Sequence, residues 1–117
     1  MTRKVALFAF NGEPMCFLHV LLNAFDMAER GDEVTIILEG STTRLAKEFH
    51  EDSSKPFANL YEKAKEMNLI GAVCRACASK MGALESAQSQ GLTLEDDMKG
   101  HPSMARYLEA GYQILTF

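Results

Sequence analysis

Five short apolar runs, separated by segments with helical periodicity, are the feature of this chain that most limits its fold. The runs lie at residues 4–10, 33–39, 69–73, 92–94 and 112–117. Their short length and β-branched or continuous apolar character predict strands. Because a helical segment follows each of the first four strands, we expect an α/β fold with three layers, α/β/α, around a mostly parallel five-stranded sheet.

Prolines and glycines mark where the predicted helices begin and end. Three prolines suit first turns and three glycines suit left-handed ends: Pro14, Pro56, Pro102, Gly31, Gly91 and Gly111. A short helix is predicted after Ser41, which is a plausible cap, and one continuous helix is predicted from Cys74 to about Gln90. With 117 residues, the chain has room for one domain, which we place at residues 1–117.

Charge and motif content exclude several classes of function. The chain has 12 basic and 16 acidic side chains, a net charge of −4, and no basic run, so we expect no nucleic-acid partner. No apolar stretch is long enough to span a bilayer, and the run that ends at Phe10 is too short for a signal peptide. We therefore expect a cytoplasmic protein without membrane partners. Dinucleotide, P-loop and nucleophile-elbow motifs are missing from the sequence, and no cofactor is predicted.

The predicted topology gathers the chemically active residue types at one edge of the sheet. The carboxyl ends of parallel strands meet at a common edge, where ligands of open α/β sheets bind. Segments 11–16, 39–42, 74–77 and 95–102 follow those ends. All three cysteines, and the histidine of the last segment, lie in them: Cys16, Cys74, Cys77 and His101.

Two of the cysteines form the motif Cys74-Arg75-Ala76-Cys77, where the third strand passes into a helix. A thiol at a helix N-terminus near positive charge is expected to have a lowered pKa, which favours the nucleophilic thiolate. We therefore predict Cys74 as the nucleophile and Cys77 as a resolving or sulfur-sharing partner. Cys16 and His101 are accessory candidates. The alternative is that the cysteines are small buried apolar residues.

A metal site is a second interpretation of the same residues. Cys16-x-x-His19 and Cys74-x-x-Cys77 together offer three thiolates and an imidazole, a set that suits structural zinc. His101 is a further candidate ligand. The two pairs are far apart in the chain, so this hypothesis ranks below thiol chemistry. A dithiol–disulfide oxidoreductase ranks lowest. Thioredoxin-like enzymes need a cis-proline opposite their CxxC motif, whereas every proline of this chain is predicted at a helix start.

Several segments resemble the DsrE/DsrF-like sulfur-relay family. The most specific is Val73-Cys74 followed by Gly82; the opening strand, the helix start at Pro14, the entry to the second strand at residues 31–36, and the closing segment 111–117 also match. The resemblance implies a single DsrE-like domain and places the family's sulfur-carrying cysteine on Cys74. Cys77 is an addition to the pattern of the relay subunits. The resemblance also implies a homo-oligomer, a trimer or hexamer, that passes a persulfide from a sulfur donor protein to an acceptor protein.

The sequence thus predicts an intracellular sulfur-transfer protein that carries a persulfide on Cys74, with Cys77 assisting. The alternative is a non-enzymatic metal- or small-ligand-binding regulatory module at the same sheet edge. A chain this short has little room for a closed pocket, so we expect the site to lie at a subunit boundary.

Overall fold

The structure, a computed structural model, describes residues 2–117. Its strands are β1 (Lys4–Ala9), β2 (Glu33–Leu38), β3 (Ile70–Cys74), β4 (Leu94–Glu95) and β5 (Gln113–Thr116). Its helices are α1 (Pro14–Glu29), α2 (Thr42–Glu51), α3 (Ala58–Glu66), α4 (Arg75–Lys80), α5 (Leu84–Ser89) and α6 (Met104–Glu109).

All neighbouring strands are parallel, and their order is β4-β3-β2-β1-β5. The predicted α/β class and five-stranded sheet are therefore confirmed. Within residues 2–117, every helix is too short or too polar to cross a bilayer.

The two faces of the sheet are covered unequally. One face packs against α1 to α5 and holds the larger core, to which these helices contribute Phe17, Phe49, Tyr61, Ala78 and Ala87. The other face holds a small buried set, Ala6, Phe8, Ile37 and Ala72, covered by residues of α6 and β5 and by Tyr112. We call this second side the thin face.

A register shift in β3 decides which residues point to the thin face. Ile36 pairs with Ile70, but Ile37 pairs with Ala72, so Gly71 is an extra residue in β3. Such a bulge changes the alternation of side chains along the strand. A Cβ atom at Gly71 would lie 1.7 Å from the Thr35 hydroxyl oxygen, which is why only glycine fits.

The shift carries through to the end of the strand. Val73 pairs with Leu38 and lies in the larger core, so the next residue, Cys74, faces the opposite side. Cys74 in turn pairs with Glu95 of β4. Glu39, directly after β2, therefore lies in a row with Cys74 of β3 and Glu95 of β4 on the thin face.

Glycine ended the predicted helices as expected. Gly31, Gly91 and Gly111 follow α1, α5 and α6 with φ angles of 95°, 76° and 91°. The single helix predicted from Cys74 to about Gln90 is wrong, because Gly82, with a φ of 71°, divides it into α4 and α5. The amide of Gly82 donates to Ser79 and that of Ala83 to Ala78, the two bonds of a Schellman motif.

Helix starts were less well predicted than helix ends. The helices expected at Pro56 and Pro102 begin two residues later, at Ala58 and Met104. Ser41 precedes α2, but its side chain makes no capping bond. Its hydroxyl instead accepts the Gly12 amide at 2.8 Å, which ties together the loops that follow β1 and β2.

Candidate thiol site

Cys74, Cys77 and His101 form a compact cluster at the carboxyl edge of the sheet. Cys74 is the last residue of β3 and is fully buried; Cys77 and His101 are half-buried. The Sγ atom of Cys74 lies 3.1 Å from Nδ1 of His101, and that of Cys77 lies 3.7 Å from the same nitrogen. The three ligand-type atoms all lie within 4.8 Å of one another. Two thiols thus share one imidazole nitrogen.

The loop between β4 and α6 holds His101 in place through backbone contacts. Met98 and His101 exchange two backbone hydrogen bonds, of 2.8 and 3.0 Å. The Gly100 carbonyl accepts the amide of Ala76 at 2.9 Å, which fixes the loop to the first turn of α4. Gly100 has a φ of 95°, and a Cβ atom there would lie 3.0 Å from the Ala76 Cβ. Glycine at this position therefore allows the loop to approach the cysteines closely.

Burial controls the pKa of the Cys74 thiol. Desolvation, helped by the neighbouring Cys77 thiol and the Glu39 carboxylate, raises this pKa to about 12. The Cys77 amide, which donates to Sγ at 3.4 Å, lowers the pKa but does not overcome burial. Arg75, the positive charge within the motif, is paired with Asp96 at 3.2 Å. The predicted lowering of the Cys74 pKa is therefore wrong, because its fully buried sulfur loses more hydration than the N-terminus of the six-residue helix α4 replaces.

Two carboxyl groups flank Cys74 along the row on the thin face. Glu39 is only 6% exposed, and burial, followed by the charge of Glu95, raises its pKa to about 7. The Glu95 carboxylate accepts the Tyr107 hydroxyl, which lies 2.9 Å from both of its oxygens. Glu39 is therefore a group that changes protonation near neutral pH beside the thiol.

Glu39 lies in one of the predicted edge segments but is not among the predicted site residues. The available signal was an acidic residue directly after the apolar run Val34-Thr35-Ile36-Ile37-Leu38. That position at the carboxyl end of a central strand favours a buried carboxyl group. The Gly71 bulge, which aligns Glu39 with Cys74, has no comparable signal in the sequence.

The remaining predicted residues lie elsewhere. Cys16 and His19 are exposed on α1, and the Cys16 amide donates to the Glu13 carboxylate at 3.1 Å. Neither joins the cluster of Cys74, Cys77 and His101. The four-residue zinc set with Cys16 and His19 is therefore not formed within residues 2–117. His101, expected only as an accessory or reserve residue, is in contact with both thiols of the motif.

A parallel sheet with a cysteine–histidine cluster at its carboxyl edge defines a small α/β protein with a thiol-based site. Residues 4–117 match the DsrE/DsrF-like family, and the chain belongs to this family. The resemblance inferred from the sequence is thus confirmed.

The chain is also similar to individual proteins. The chain is 40% identical over 98 residues to an uncharacterised protein of Methanocaldococcus jannaschii. The aligned residues cover 84% of this chain and 77% of that protein. An uncharacterised protein of Archaeoglobus fulgidus is 40% identical over 53 residues, which is 45% of this chain and 87% of the relative. A conserved protein of unknown function from Bacteroides thetaiotaomicron has the same fold, with a TM-score of 0.69, 20% identity, and coverage of 97% of this chain and 94% of that one.

Proposed function

We propose that this protein transfers sulfur as a persulfide carried on Cys74. The observation that carries the proposal is the 3.1 Å contact between Cys74 Sγ and His101 Nδ1 at the end of β3. A cysteine paired with a histidine is a common arrangement for activating a thiol that is protonated at rest. Membership of the DsrE/DsrF-like family supports the same assignment.

The first half of the reaction loads Cys74. In the tautomer that leaves Nδ1 unprotonated, His101 accepts the thiol proton as Cys74 Sγ attacks the outer sulfur of a donor persulfide. The new bond joins Sγ to the outer sulfur, the donor's own S–S bond breaks, and the donor departs as a thiolate that takes a proton from solvent. No oxidant is consumed, because the sulfane sulfur keeps its oxidation level.

The second half of the reaction transfers the sulfur from Cys74 to the acceptor. An acceptor thiolate attacks the outer sulfur, and the departing Cys74 sulfur regains its proton from His101. Cys77 assists in one of two ways. Its amide donates to Sγ at 3.4 Å, which stabilises the departing thiolate. Alternatively its thiol attacks Sγ, releasing hydrogen sulfide and leaving a Cys74–Cys77 disulfide that an external dithiol must reduce.

The proposal carries expectations about location and partners. We place the protein in the cytoplasm, where its three unpaired thiols stay reduced. We propose a homo-oligomer, a trimer or hexamer, in which a neighbouring subunit borders the thin face. One sulfur donor protein and one acceptor protein would visit the exposed side of the cluster.

Incubation with a cysteine desulfurase and cysteine, followed by intact mass measurement, tests the proposal. We expect one added sulfur atom, released by dithiothreitol and missing from Cys74→Ser. Cys16→Ser is the matched control, because it removes an exposed thiol outside the cluster. An unmodified wild-type chain, or an adduct that persists in Cys74→Ser, would rule out sulfur transfer on Cys74.

A further inference from the structure

Cys74, Cys77 and His101 also have the donor set of a metal site, and we propose that they bind one Zn²⁺ ion with an open fourth position. This site differs from the set that the sequence suggested, since His101 replaces both Cys16 and His19. It stands independently of sulfur transfer, because it requires only the three side chains and the ion.

The distances between the donor atoms fit tetrahedral zinc. Bond lengths of about 2.3 Å to sulfur and about 2.05 Å to nitrogen place sulfur and nitrogen ligands about 3.6 Å apart. The two sulfur–nitrogen distances here are 3.1 and 3.7 Å, on either side of that value. Binding would require the Cys74–His101 pair to open by about half an ångström, which a side-chain rotation supplies.

The donor types select the ion. Thiolates and imidazole favour Zn²⁺ over the hard cations Mg²⁺ and Ca²⁺, which prefer oxygen ligands. On binding, each cysteine loses its thiol proton to solvent, so two thiolates neutralise the 2+ charge and the neutral imidazole adds none. A site without net charge suits the fully buried position of Cys74.

The scaffold fixes the ligands before the ion arrives. Cys74 ends a central strand, Cys77 lies in the first turn of α4, and His101 is held by its backbone pair with Met98. The Gly100 carbonyl accepts the Ala76 amide and so ties the histidine loop to the same turn. Three protein ligands leave one tetrahedral position for water or a small ligand, as in catalytic rather than structural zinc sites.

Occupation by zinc and by sulfane sulfur would exclude one another, because both use the Cys74 sulfur. The metal would hold the thiols in a protected form until a chelating or thiol-bearing partner removes it. The binding experiment contains no sulfur donor, so it measures zinc binding without this competition.

The experiment uses the full chain, reduced and freed of metal by a chelator. Co²⁺ serves as a spectroscopic probe, since tetrahedral thiolate coordination gives strong visible bands and thiolate-to-cobalt charge transfer. Zn²⁺ affinity is then measured by competition with a chromophoric chelator. We expect one equivalent of each ion, displacement of Co²⁺ by Zn²⁺, and no displacement by Mg²⁺.

Variants assign the ligands. Cys74→Ala, Cys77→Ala and His101→Asn should each weaken Zn²⁺ binding by about 100-fold or more, because loss of a direct ligand exceeds the 10–100-fold effects typical of outer-shell partners. Cys16→Ala should bind as the wild type does. Circular dichroism checks folding, and the half-buried Cys77 and His101 keep the test valid if Cys74→Ala unfolds.

Three results would overturn the zinc site: weak or non-stoichiometric binding by the wild type, wild-type affinity in His101→Asn, or lost binding in Cys16→Ala. A protein that binds zinc but forms no sulfur adduct would refute the proposed function alone. The reverse outcome would refute the metal site alone.

Discussion

Nδ1 of His101 lies 3.1 Å from Sγ of Cys74, a thiol whose pKa is raised to about 12 by burial. The histidine therefore faces a protonated thiol, and it is the nearest group able to accept the proton when the sulfur reacts. Reactivity at Cys74 should accordingly depend on a partner that removes the proton, not on a standing thiolate.

Alkylation should reveal the raised pKa of Cys74. At pH 8 a thiol with a pKa near 12 holds about 1,000-fold less thiolate than one at its ordinary value of 9.0, so native Cys74 should react with iodoacetamide far more slowly than in urea. Its rate should rise about tenfold per pH unit from pH 8 to 10. Trypsin cleavage after Arg75 separates Cys74 from Cys77, so mass spectrometry measures each rate. A native Cys74 rate that levels off below pH 9 would contradict the assignment.

Glu39 should make stability depend on pH. Its pKa is raised from 4.5 to about 7, so the folded chain binds the proton more tightly than the unfolded chain. Stability is therefore greatest below pH 4.5, falls as the pH rises to about 7, and is constant above that for this group. The loss should amount to about 1–3 kcal/mol, and Glu39→Gln should lack it.

Urea unfolding at several pH values from 4 to 8 measures this difference. The control is Glu66→Gln, at an exposed position on α3, which should follow the wild-type profile. Equal profiles for Glu39→Gln and the wild type would show that folding does not raise the pKa of Glu39.

Gly100→Ala should disturb the site through the histidine loop. The φ of 95° strains any other residue, and the new Cβ would lie 3.0 Å from the Ala76 Cβ beside the cysteines. Gly91→Ala is a matched control, with a φ of 76° and no atom within 4 Å of its added Cβ. Both should lose about 1 kcal/mol of stability from backbone strain, but only Gly100→Ala should change the alkylation rate of Cys74. An unchanged rate would show that His101 does not depend on this contact.

The features that the sequence predicted follow from local backbone conformation and from the topology of parallel strands, and those it missed depend on the details of tertiary packing. Helix ends at glycine follow from backbone conformation at one residue, and the meeting of Cys74, Cys77 and His101 at one edge follows from parallel strands. The pKa of Cys74 depends on how completely the sulfur is buried on the thin face. The spacing of residues in the sequence does not predict that degree of burial. The alignment of Glu39 with Cys74 depends on a bulge, and a glycine inside a strand does not reveal the register it creates.

Gly71, the glycine within β3, should not be replaceable without loss of stability, because it produces the register that brings Cys74 beside Glu39. A Cβ atom there would lie 1.7 Å from the Thr35 hydroxyl oxygen and 3.2 Å from the Thr35 Cβ. Gly71→Ala should therefore destabilise the protein by about 2 kcal/mol or more, as overpacking does. Thr35→Ala in the same chain removes the shorter contact but leaves the longer one, so it should restore about half of the loss. A double-mutant cycle measured by urea unfolding gives the coupling between the two sites. If the two effects simply add, the hydroxyl of Thr35 is not what excludes a side chain from position 71.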